Sequence, residues 1–266
     1  MSKFTFHGSD GCPLHATVAG TGPALVLMHA GGPDHESMLP LAARLADRNT
    51  VVLPDLRGYG RSVCADPARH TWAQYTDDVI RLLDHLGLSA AALGGAGLGS
   101  TITLRTAAAH PHRVRAAVLI GIEDIEDDAA KAEEIRFLDA FGERVAAHGI
   151  EAGWGPILAG FPPVVGAMVR DAIPRSDPAS IAAAAAIGRD RSFRDIAELA
   201  TITTPTLVFP GTDARHPTAL AEQVSTTLPH GRLAPAALSN DLHTAEDLAR
   251  ITTPAIREFL EQTLAT

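Results

Sequence analysis

The segment with the clearest potential for chemistry is glycine-rich and runs from Leu93 to Ser100. Gly95, Gly97 and Gly99 occur there at a spacing of two, between a strand-like run and a helical pattern. A dinucleotide-binding loop requires the spacing Gly-x-Gly-x-x-Gly directly after the first strand of its fold. Here the third glycine falls at the wrong spacing, and the segment follows the fifth strand-like run. A plain glycine-rich turn is therefore favoured over a phosphate-binding loop.

The spacing of the cysteine and histidine residues does not indicate a metal site. Cys12 and Cys64 are the only cysteines, which is too few for a zinc site or a disulfide framework. The chain has 12 histidines, but none lies in the spacing of a metal site. No metal and no cofactor is therefore predicted.

The elements that must position the glycine-rich segment alternate between strands and helices. Short strand-like runs occur at residues 4–7, 14–18, 24–29, 50–53, 90–93, 116–120, 206–209 and 232–236. Apolar residues follow helical spacing between them, at 38–46, 72–86 and 100–110. This alternation predicts a mostly parallel sheet covered by helices. The first two runs flank a turn composition at 8–11, so they are expected to form an antiparallel hairpin at the sheet edge.

The alternation stops after Ile120, since about 85 residues pass before the next strand-like run at Thr206. The intervening segment has helical stretches at 129–147, 164–172 and 179–187, and few large apolar residues for a core of its own. It is therefore interpreted as a helical cap. The predicted division is a core of residues 1–123 and 201–266, with a cap insertion at 124–200.

Composition excludes several classes of function. Hydrophobic residues make up 46% of the 266 residues and charged residues 20%, which is typical of a soluble globular protein. The net charge of −9 and the lack of a Lys/Arg-rich run argue against nucleic-acid binding. Apolar runs such as 181–187 are too short to cross a membrane. Residues 1–11 lack the apolar core of a signal peptide, so a cytoplasmic location is expected.

Three segments together resemble the α/β-hydrolase fold family, and the resemblance covers essentially the whole chain. The first is a strand that runs into a small-residue loop at 25–33, and the second is the loop Asp-Leu-Arg-Gly-Tyr-Gly-Arg-Ser at 55–62. The third is the glycine-rich segment 93–100. The resemblance implies the α/β-hydrolase fold, with a mostly parallel eight-stranded sheet flanked by helices and a helical cap insertion.

The family carries its Gly-x-Ser-x-Gly nucleophile elbow where this chain has the glycine-rich segment. The elbow is a strained strand-to-helix turn, and the residues two positions either side of its centre must be small. Gly95 and Gly99 satisfy that spacing, whereas the centre is Gly97, which takes positive φ at no steric cost but has no oxygen with which to attack. The resemblance further implies an oxyanion hole from the backbone N–H groups of Gly31 and Leu98.

The family's order of nucleophile, acid and histidine selects the other candidates. Asp213, in a turn after the run 206–209, is the expected acid, although it could instead cap a helix or form an Asx turn. Glu123, after the sixth strand, is a reserve acid. His243, after the last strand, is the expected base, with a surface histidine near a helix start as the alternative. His216 competes with it but lies too near Asp213 in sequence for the usual role.

Other polar residues in these segments are assigned structural roles. The loop 55–62 is interpreted as a structural loop held by Asp55 and Arg57. Ser100 and Cys64 are weak candidates for a displaced nucleophile, because Ser100 should lie on the helix after the elbow and Cys64 has no evident base near it. Residues expected to line an apolar pocket between core and cap, or simply to pack the cap, are Ala30, Phe137, Phe141, Trp154 and Phe161.

Without the serine, the covalent route of a catalytic triad is closed. One function is a carboxylic ester or lactone hydrolase that is either inactivated by Gly97 or natively without a nucleophile. A second is a cofactor-free lyase, or another acid/base enzyme, with His243 as the base. A third is a non-catalytic protein that binds a small ligand. The expected partner is a small ester or lactone-like molecule, with no nucleic acid or membrane, and the chain is expected to be a monomer or homodimer.

Overall fold

A computed structural model describes residues 1–264, and it contains one eight-stranded sheet. The strands are β1 Ser2–His7, β2 Pro13–Ala19, β3 Ala24–Met28, β4 Thr50–Pro54, β5 Ala91–Ala96, β6 Val114–Ile120, β7 Thr206–Phe209 and β8 Gly231–Leu233. Their order is β1-β2-β4-β3-β5-β6-β7-β8. The pairs β1–β2 and β2–β4 are antiparallel, and the remaining pairs are parallel. The predicted edge hairpin and the mostly parallel sheet are confirmed.

Nine α-helices accompany the sheet within residues 1–264. They are α1 Leu39–Leu45, α2 Trp72–His85, α3 Leu98–Ala109, α4 Asp128–His148, α5 Ile150–Trp154, α6 Pro163–Ala172, α7 Pro178–Ala184, α8 Thr218–Thr227 and α9 Ala245–Leu264. Short 3₁₀ turns lie at His35–Met38, Pro67–Arg69, Pro111–Arg113, Leu158–Gly160, Ile173–Arg175, Ala185–Arg189 and Ile196–Thr201. None of these helices has the length and apolar content required to cross a bilayer.

Two buried clusters of apolar side chains cover the two faces of the sheet. Alternate residues of β3 belong to different clusters, since Val26 and Met28 lie in one and Leu25 and Leu27 in the other. Helices α2, α3 and α8 pack on the first face, and α1 and α9 pack on the second. This arrangement explains why the central strands read as continuous apolar runs, because both faces are covered.

The carboxyl ends of β5 and β8 differ most from their predicted limits, for identifiable reasons. Strand β5 continues to Ala96, through glycines that resemble a turn in sequence, because β3 and β6 hydrogen-bond it from both sides. Strand β8 ends at Leu233 rather than at residue 236. Pro235 has no N–H to donate to a ladder, which limits this edge strand.

The segment between β6 and β7 contains α4 to α7, and an isolated bridge joins Ile125 to Phe193. The predicted helical stretches 129–147, 164–172 and 179–187 correspond to α4, α6 and α7, the last extended by a 3₁₀ turn. We retain the division into a core of 1–123 and 201–266 and a cap of 124–200 as a proposal. Residues 265 and 266 of that core lie outside the described residues.

The loop 55–62 is held by two buried charged groups. The Asp55 carboxylate accepts hydrogen bonds from the backbone N–H and Nδ1 of His35, and from the N–H and Nε of Arg61. The Arg57 guanidinium, whose side chain is 0% exposed, donates to both carboxylate oxygens of Asp78 at 2.7 and 2.8 Å and to Asp10 at 2.8 and 3.1 Å. Asp55 and Arg57 therefore anchor the loop against the rest of the core.

Replacing Arg57 should cost much of the protein's stability. In Arg57→Ala the buried carboxylate of Asp78 loses its bidentate partner, so the free energy of unfolding should fall by about 3–5 kcal/mol. Urea unfolding followed by circular dichroism measures the change. Arg48→Ala is the control, because Arg48 and its partner Glu261 are both more than half exposed and should matter little. Equal effects of the two substitutions would contradict an anchoring role for Arg57.

Candidate functional site

The turn from β5 into α3 has the backbone geometry of a nucleophile elbow. Gly97 has φ 49° and ψ −115°, a combination that residues with a side chain rarely adopt. Its N–H donates to the Ile120 carbonyl at 3.0 Å, and its own carbonyl accepts from the Ser100 N–H at 2.8 Å. The turn is thus fixed to the end of β6 on one side and to the first turn of α3 on the other.

Two further glycines permit this turn because a side chain at either would collide with backbone. A Cβ on Gly95 would lie 2.3 Å from the Gly99 carbonyl carbon, and a Cβ on Gly99 would lie 2.6 Å from the Met28 carbonyl oxygen. Helix α3 therefore starts in direct contact with the end of β3. The small-residue spacing predicted for an elbow has this steric origin.

The alternative nucleophiles do not reach the turn's open side. The Ser100 hydroxyl is fully buried, donates to the Gly95 carbonyl at 2.7 Å and accepts from the Ile120 N–H at 3.0 Å. Cys64 is buried beside Arg57, with 3.8 Å between its sulfur and the guanidinium. The contacts of Ser100 and Cys64 hold neighbouring parts of the fold together, in agreement with their weak candidacy as nucleophiles.

A cavity of about 120 Å³ opens above Gly97. Its walls are mostly apolar, and they include all five residues predicted to line a pocket: Ala30, Phe137, Phe141, Trp154 and Phe161. Gly31 and Leu98 lie on the same wall as Gly97. A cavity of about 150 Å³ holds a benzene molecule, so this one suits a small ligand.

The structure brings His216, and not His243, to the cavity. The His243 side chain is exposed, and its backbone N–H donates to Asp247 at the start of α9. Its neighbour Leu242 takes the buried position, and the Leu242 carbonyl accepts from the Val164 N–H at 2.9 Å. His243 therefore points away from Gly97, contrary to the expectation that it lies beside the elbow.

Asp213 and His216 form a compact hydrogen-bonded pair. Each carboxylate oxygen of Asp213 lies 3.1 Å from His216 Nδ1, and one of them also accepts the backbone N–H groups of Arg215 and His216, both at 2.9 Å. Asp213 therefore makes the Asx turn considered as its alternative role and orients an imidazole at the same time. A carboxylate on Nδ1 places the free nitrogen, Nε2, toward the cavity.

Glu123 also reaches the cavity, held by Arg215. Its Oε2 accepts from Arg215 Nε and lies 3.6 Å from His216 Nε2. The same guanidinium donates to both oxygens of Glu134, at 2.7 and 3.0 Å. It also lies over the ring of Phe137, 5.5 Å from its centroid. Glu123, the reserve acid, thus faces the elbow. It belongs to a network of ion pairs that the sequence does not predict.

These contacts set the charge states of the polar wall. Burial by itself would lower the pKa of His216, but the hydrogen bond to Asp213 and the charge of Glu123 outweigh it and raise that pKa. Burial works against ionisation of Glu123, yet Arg215 and His216 lower its pKa overall. The pKa of Asp213 is lowered in the same way by His216, against the effect of burial. Glu123 and Asp213 are therefore ionised at neutral pH.

Asp124 is the neutral counterpart of these carboxylates. Burial and the adjacent charge of Glu123 raise its pKa to about 8. Its backbone has φ 63°, the only positive φ outside glycine in residues 1–264. Its side chain lies 2.9 Å from the Thr101 hydroxyl, which itself lies 3.3 Å from the Glu123 carbonyl. A protonated Asp124 can donate to Thr101, which leaves the Thr101 proton for that carbonyl.

A side chain at position 97 would point directly at the two titratable groups. A Cβ built on Gly97 would lie 3.0 Å from Glu123 Oε1, 3.4 Å from Ala30 Cβ and 3.7 Å from His216 Nε2. The histidine is therefore placed as a base for chemistry above Gly97, and a carboxylate oxygen faces the same point.

The residues that carry the proposed oxyanion donors, Gly31 and Leu98, also line the cavity. Among the hydrogen bonds of residues 1–264, none uses the backbone N–H of Gly31 or Leu98. Leu98 is the first residue of α3, where N–H groups have no partner within the helix and the helix dipole favours negative charge. The role of these two donors stays a prediction.

Clusters of acidic groups near the site are already neutralised by cationic side chains. Carboxylates of Asp124, Glu126 and Glu134 lie close enough together to hold an ion. However, Lys131 pairs with Glu126 at 3.0 Å, and Arg215 pairs with Glu134. The geometry fits a network of ion pairs.

A strained strand-to-helix elbow below a cavity with a histidine–carboxylate pair is the arrangement expected of the α/β-hydrolase fold. The family model for the alpha/beta hydrolase fold matches residues 23–217, and the chain belongs to that family. The resemblance inferred from the three motifs is confirmed.

Individual relatives cover the chain to different extents. An epoxide hydrolase of Caballeronia sordidicola is 37% identical over 111 residues, which is 41% of this chain and 33% of the relative. The chain spans about half or less of the length of the curated relatives it matches. A thermophilic esterase from Thermogutta terrifontis superposes with a TM-score of 0.83, 26% identity and 99% coverage of both chains. The enol-lactonase from Burkholderia xenovorans LB400 has a TM-score of 0.80 at 23% identity, covering 97% of this chain and 99% of its own.

Substitution of Gly97 should be more damaging than substitution of another positive-φ glycine. In Gly97→Ala the new Cβ meets Glu123 Oε1 and the backbone is strained, so unfolding free energy should fall by about 1–3 kcal/mol. Gly87→Ala is the control, because Gly87 also has positive φ but its Cβ would meet nothing within 4 Å. Chemical denaturation measures both. A smaller loss at position 97 than at position 87 would contradict the crowding by Glu123.

Proposed function

We propose that this chain hydrolyses a small, largely apolar ester or lactone without forming an acyl-enzyme. The observation that carries the proposal is the position of His216 Nε2, 3.7 Å from the point where a Gly97 Cβ would lie, with Glu123 Oε1 at 3.0 Å from the same point. A base and a carboxylate thus converge where the family's nucleophile would attack. Gly97 itself offers no oxygen, so the attacking group must come from water.

The attacking water can be held by the two groups that converge above Gly97. Neutral His216, with its Nδ1–H donated to Asp213, can accept one water proton at Nε2. Glu123 Oε1 can accept the other, because its partner oxygen already takes the Arg215 contact. Both lone pairs of the water oxygen are then free, and one of them can attack a carbonyl carbon in the cavity. His216 takes the proton as the carbon–oxygen bond forms.

The later steps need no further residue. The tetrahedral oxyanion would accept hydrogen bonds from the N–H groups of Gly31 and Leu98. Its collapse breaks the bond to the leaving oxygen, which takes the proton back from His216. The products are a carboxylic acid and an alcohol, joined in one molecule when the substrate is a lactone.

Charge and size favour a small neutral substrate. Arg215 and Lys131, the Lys and Arg side chains among the described residues that line the cavity, are already paired with carboxylates and are not free to bind an anion. The remaining wall is apolar and the volume is about 120 Å³. The esterase and enol-lactonase whose folds superpose on the whole chain carry names of the same substrate class.

A second function, proton abstraction next to a carbonyl group, is favoured by one specific observation. Glu123 Oε1 makes no hydrogen bond among the described residues and faces the cavity above Gly97. An ionised carboxylate there could remove a proton from a bound substrate, as in a cofactor-free lyase or isomerase. Exchange of substrate C–H for deuterium in heavy water, with no net hydrolysis, would favour this function over hydrolysis.

Substitution of the two histidines tests which one is the base. His216→Gln should lower kcat/KM for a small lactone by about 10²-fold or more, because the general base is lost. His243→Gln should leave it within about twofold, since that side chain is exposed. Release of acid, followed at constant pH, measures both rates. The reverse pattern would restore His243 as the base, and binding without turnover in every variant would favour a non-catalytic protein.

The pH dependence of hydrolysis should follow the raised pKa of His216. Only neutral His216 can accept a proton, so kcat/KM should rise with pH, with a midpoint above the ordinary histidine value of about 6.5. In Asp213→Asn the charge that holds the imidazolium is lost, so this midpoint should move to lower pH and the maximal rate should fall by up to about 10⁴-fold. Asp241→Asn, at an exposed position, is the control. An unchanged midpoint in Asp213→Asn would contradict the pairing.

A further inference from the structure

We propose that the hydroxyl group of Tyr59 donates a hydrogen bond to the substrate oxygen that becomes negatively charged, as a third donor beside Gly31 and Leu98. This inference rests on the proposed hydrolysis and deepens it. Tyr59 belongs to the loop 55–62, for which the sequence predicts a structural role only. The charged residues of the loop, Asp55 and Arg57, do have that structural role.

The Tyr59 hydroxyl lies on the oxyanion side of the cavity. The residue lines the cavity and is only 8% exposed. Its hydroxyl oxygen lies 3.6 Å from the point where a Cβ on Gly31 would be, and Leu98 Cβ lies 4.0 Å from that same point. The hydroxyl and the two residues that carry the proposed N–H donors therefore surround one small region.

The Tyr59 hydroxyl has no protein partner in the described part of the chain. The hydrogen bonds of residues 1–264 include none to this oxygen, and it is not sealed from the cavity. The only other tyrosine, Tyr75, is the opposite case, since its hydroxyl lies 2.9 Å from His70 Nδ1 and 3.4 Å from the Arg57 carbonyl. An oxygen atom of the substrate would give the Tyr59 hydroxyl a partner.

The ring of Tyr59 is held rigidly enough to act as a preorganised donor. His29 contacts it edge-on, with 5.5 Å between ring centroids and 75° between planes. The Tyr59 N–H donates to the Leu56 carbonyl at 2.9 Å, and the Ser62 N–H donates to the Tyr59 carbonyl at the same distance. Because the loop itself is anchored by Asp55, the hydroxyl needs little rearrangement when charge develops.

Burial and the neighbouring carboxylates keep the Tyr59 hydroxyl protonated. Burial raises its pKa well above the ordinary value, and the charges of Glu123 and Asp124 raise it further, while Arg215 opposes them. The phenol is therefore a donor throughout the pH range in which His216 changes its charge. No proton leaves Tyr59 in the proposed step, so its contribution is a hydrogen bond that strengthens as the oxyanion forms.

Tyr59→Phe tests the donor while keeping the ring. We expect kcat for a small lactone to fall by about 10²-fold with KM changed by less than about threefold, because the bond is strongest in the transition state. The pH midpoint set by His216 should stay in place. Tyr75→Phe is the matched control, since it removes the other tyrosine hydroxyl outside the cavity, and kcat should change little. Thermal unfolding of both variants checks that each is folded.

A binding measurement separates this inference from the proposed function. Dimethyl methylphosphonate is neutral, has a tetrahedral phosphorus with a strongly accepting P=O oxygen and cannot be hydrolysed as a carboxylic ester. Its binding can be followed by fluorescence because Trp72 and Trp154 line the cavity. Its Kd should rise about tenfold or more in Tyr59→Phe and stay unchanged in Tyr75→Phe.

The outcomes then distinguish the two proposals. If no ester or lactone is turned over but phosphonate affinity depends on Tyr59, the donor stands and hydrolysis fails. If turnover occurs and Tyr59→Phe matches the unmodified chain in both kcat and phosphonate Kd, the donor is overturned and hydrolysis stands. Loss of activity in Tyr59→Phe with an equal loss in Tyr75→Phe would also overturn it, because a general packing role would then explain both.

Discussion

The close approach of α3 to β3 is the constraint on which the rest of the site depends. The Gly99 backbone lies against the carbonyl of Met28, and Gly95 lies against Gly99, so any side chain there would drive the two elements apart. The contact places the first N–H of α3 beside the loop that follows β3. It also forces Gly97 into a conformation with positive φ. The positions of the proposed oxyanion donors and the strain of the elbow therefore have one steric cause.

A buried carboxylate can face this elbow only because Arg215 accompanies it. An isolated ionised Glu123 in an apolar cavity would be driven to protonate, since burial penalises the charged form. The guanidinium, shared between Glu123 and Glu134, supplies the opposing charge, and the imidazole of His216 adds to it. Asp124 lies 4.0 Å from the same guanidinium, but burial and the charge of Glu123 outweigh that contact and raise its pKa to about 8. The negative charge therefore lies on Glu123, whose carboxylate oxygen faces Gly97.

The sequence predicted what local chemistry determines and missed what the tertiary fold determines. The alternating strands, the edge hairpin and the glycine spacing of the elbow depend on near neighbours, and all were predictable. In the sequence, the separation of three residues from Asp213 argues against His216, yet an Asx turn folds those three residues so that the ring lies on the carboxylate. The place after the last strand favours His243 instead. Which of Leu242 and His243 turns inward depends on packing against α6, which no local pattern reveals.

The parts of the site are fixed independently of the residue at position 97. The loop after β3 is set by the contact of Gly99 with Met28, Glu123 follows β6, and His216 is held by the turn after β7. The loop 55–62 has its own anchors in Asp55 and Arg57. A glycine at position 97 is therefore compatible with the observed positions of the proposed base and the proposed oxyanion donors. Because the imidazole of His216 already faces the cavity, the proposed hydrolysis needs only a change from attack by the protein to attack by water, with the same backbone N–H groups as the proposed oxyanion donors.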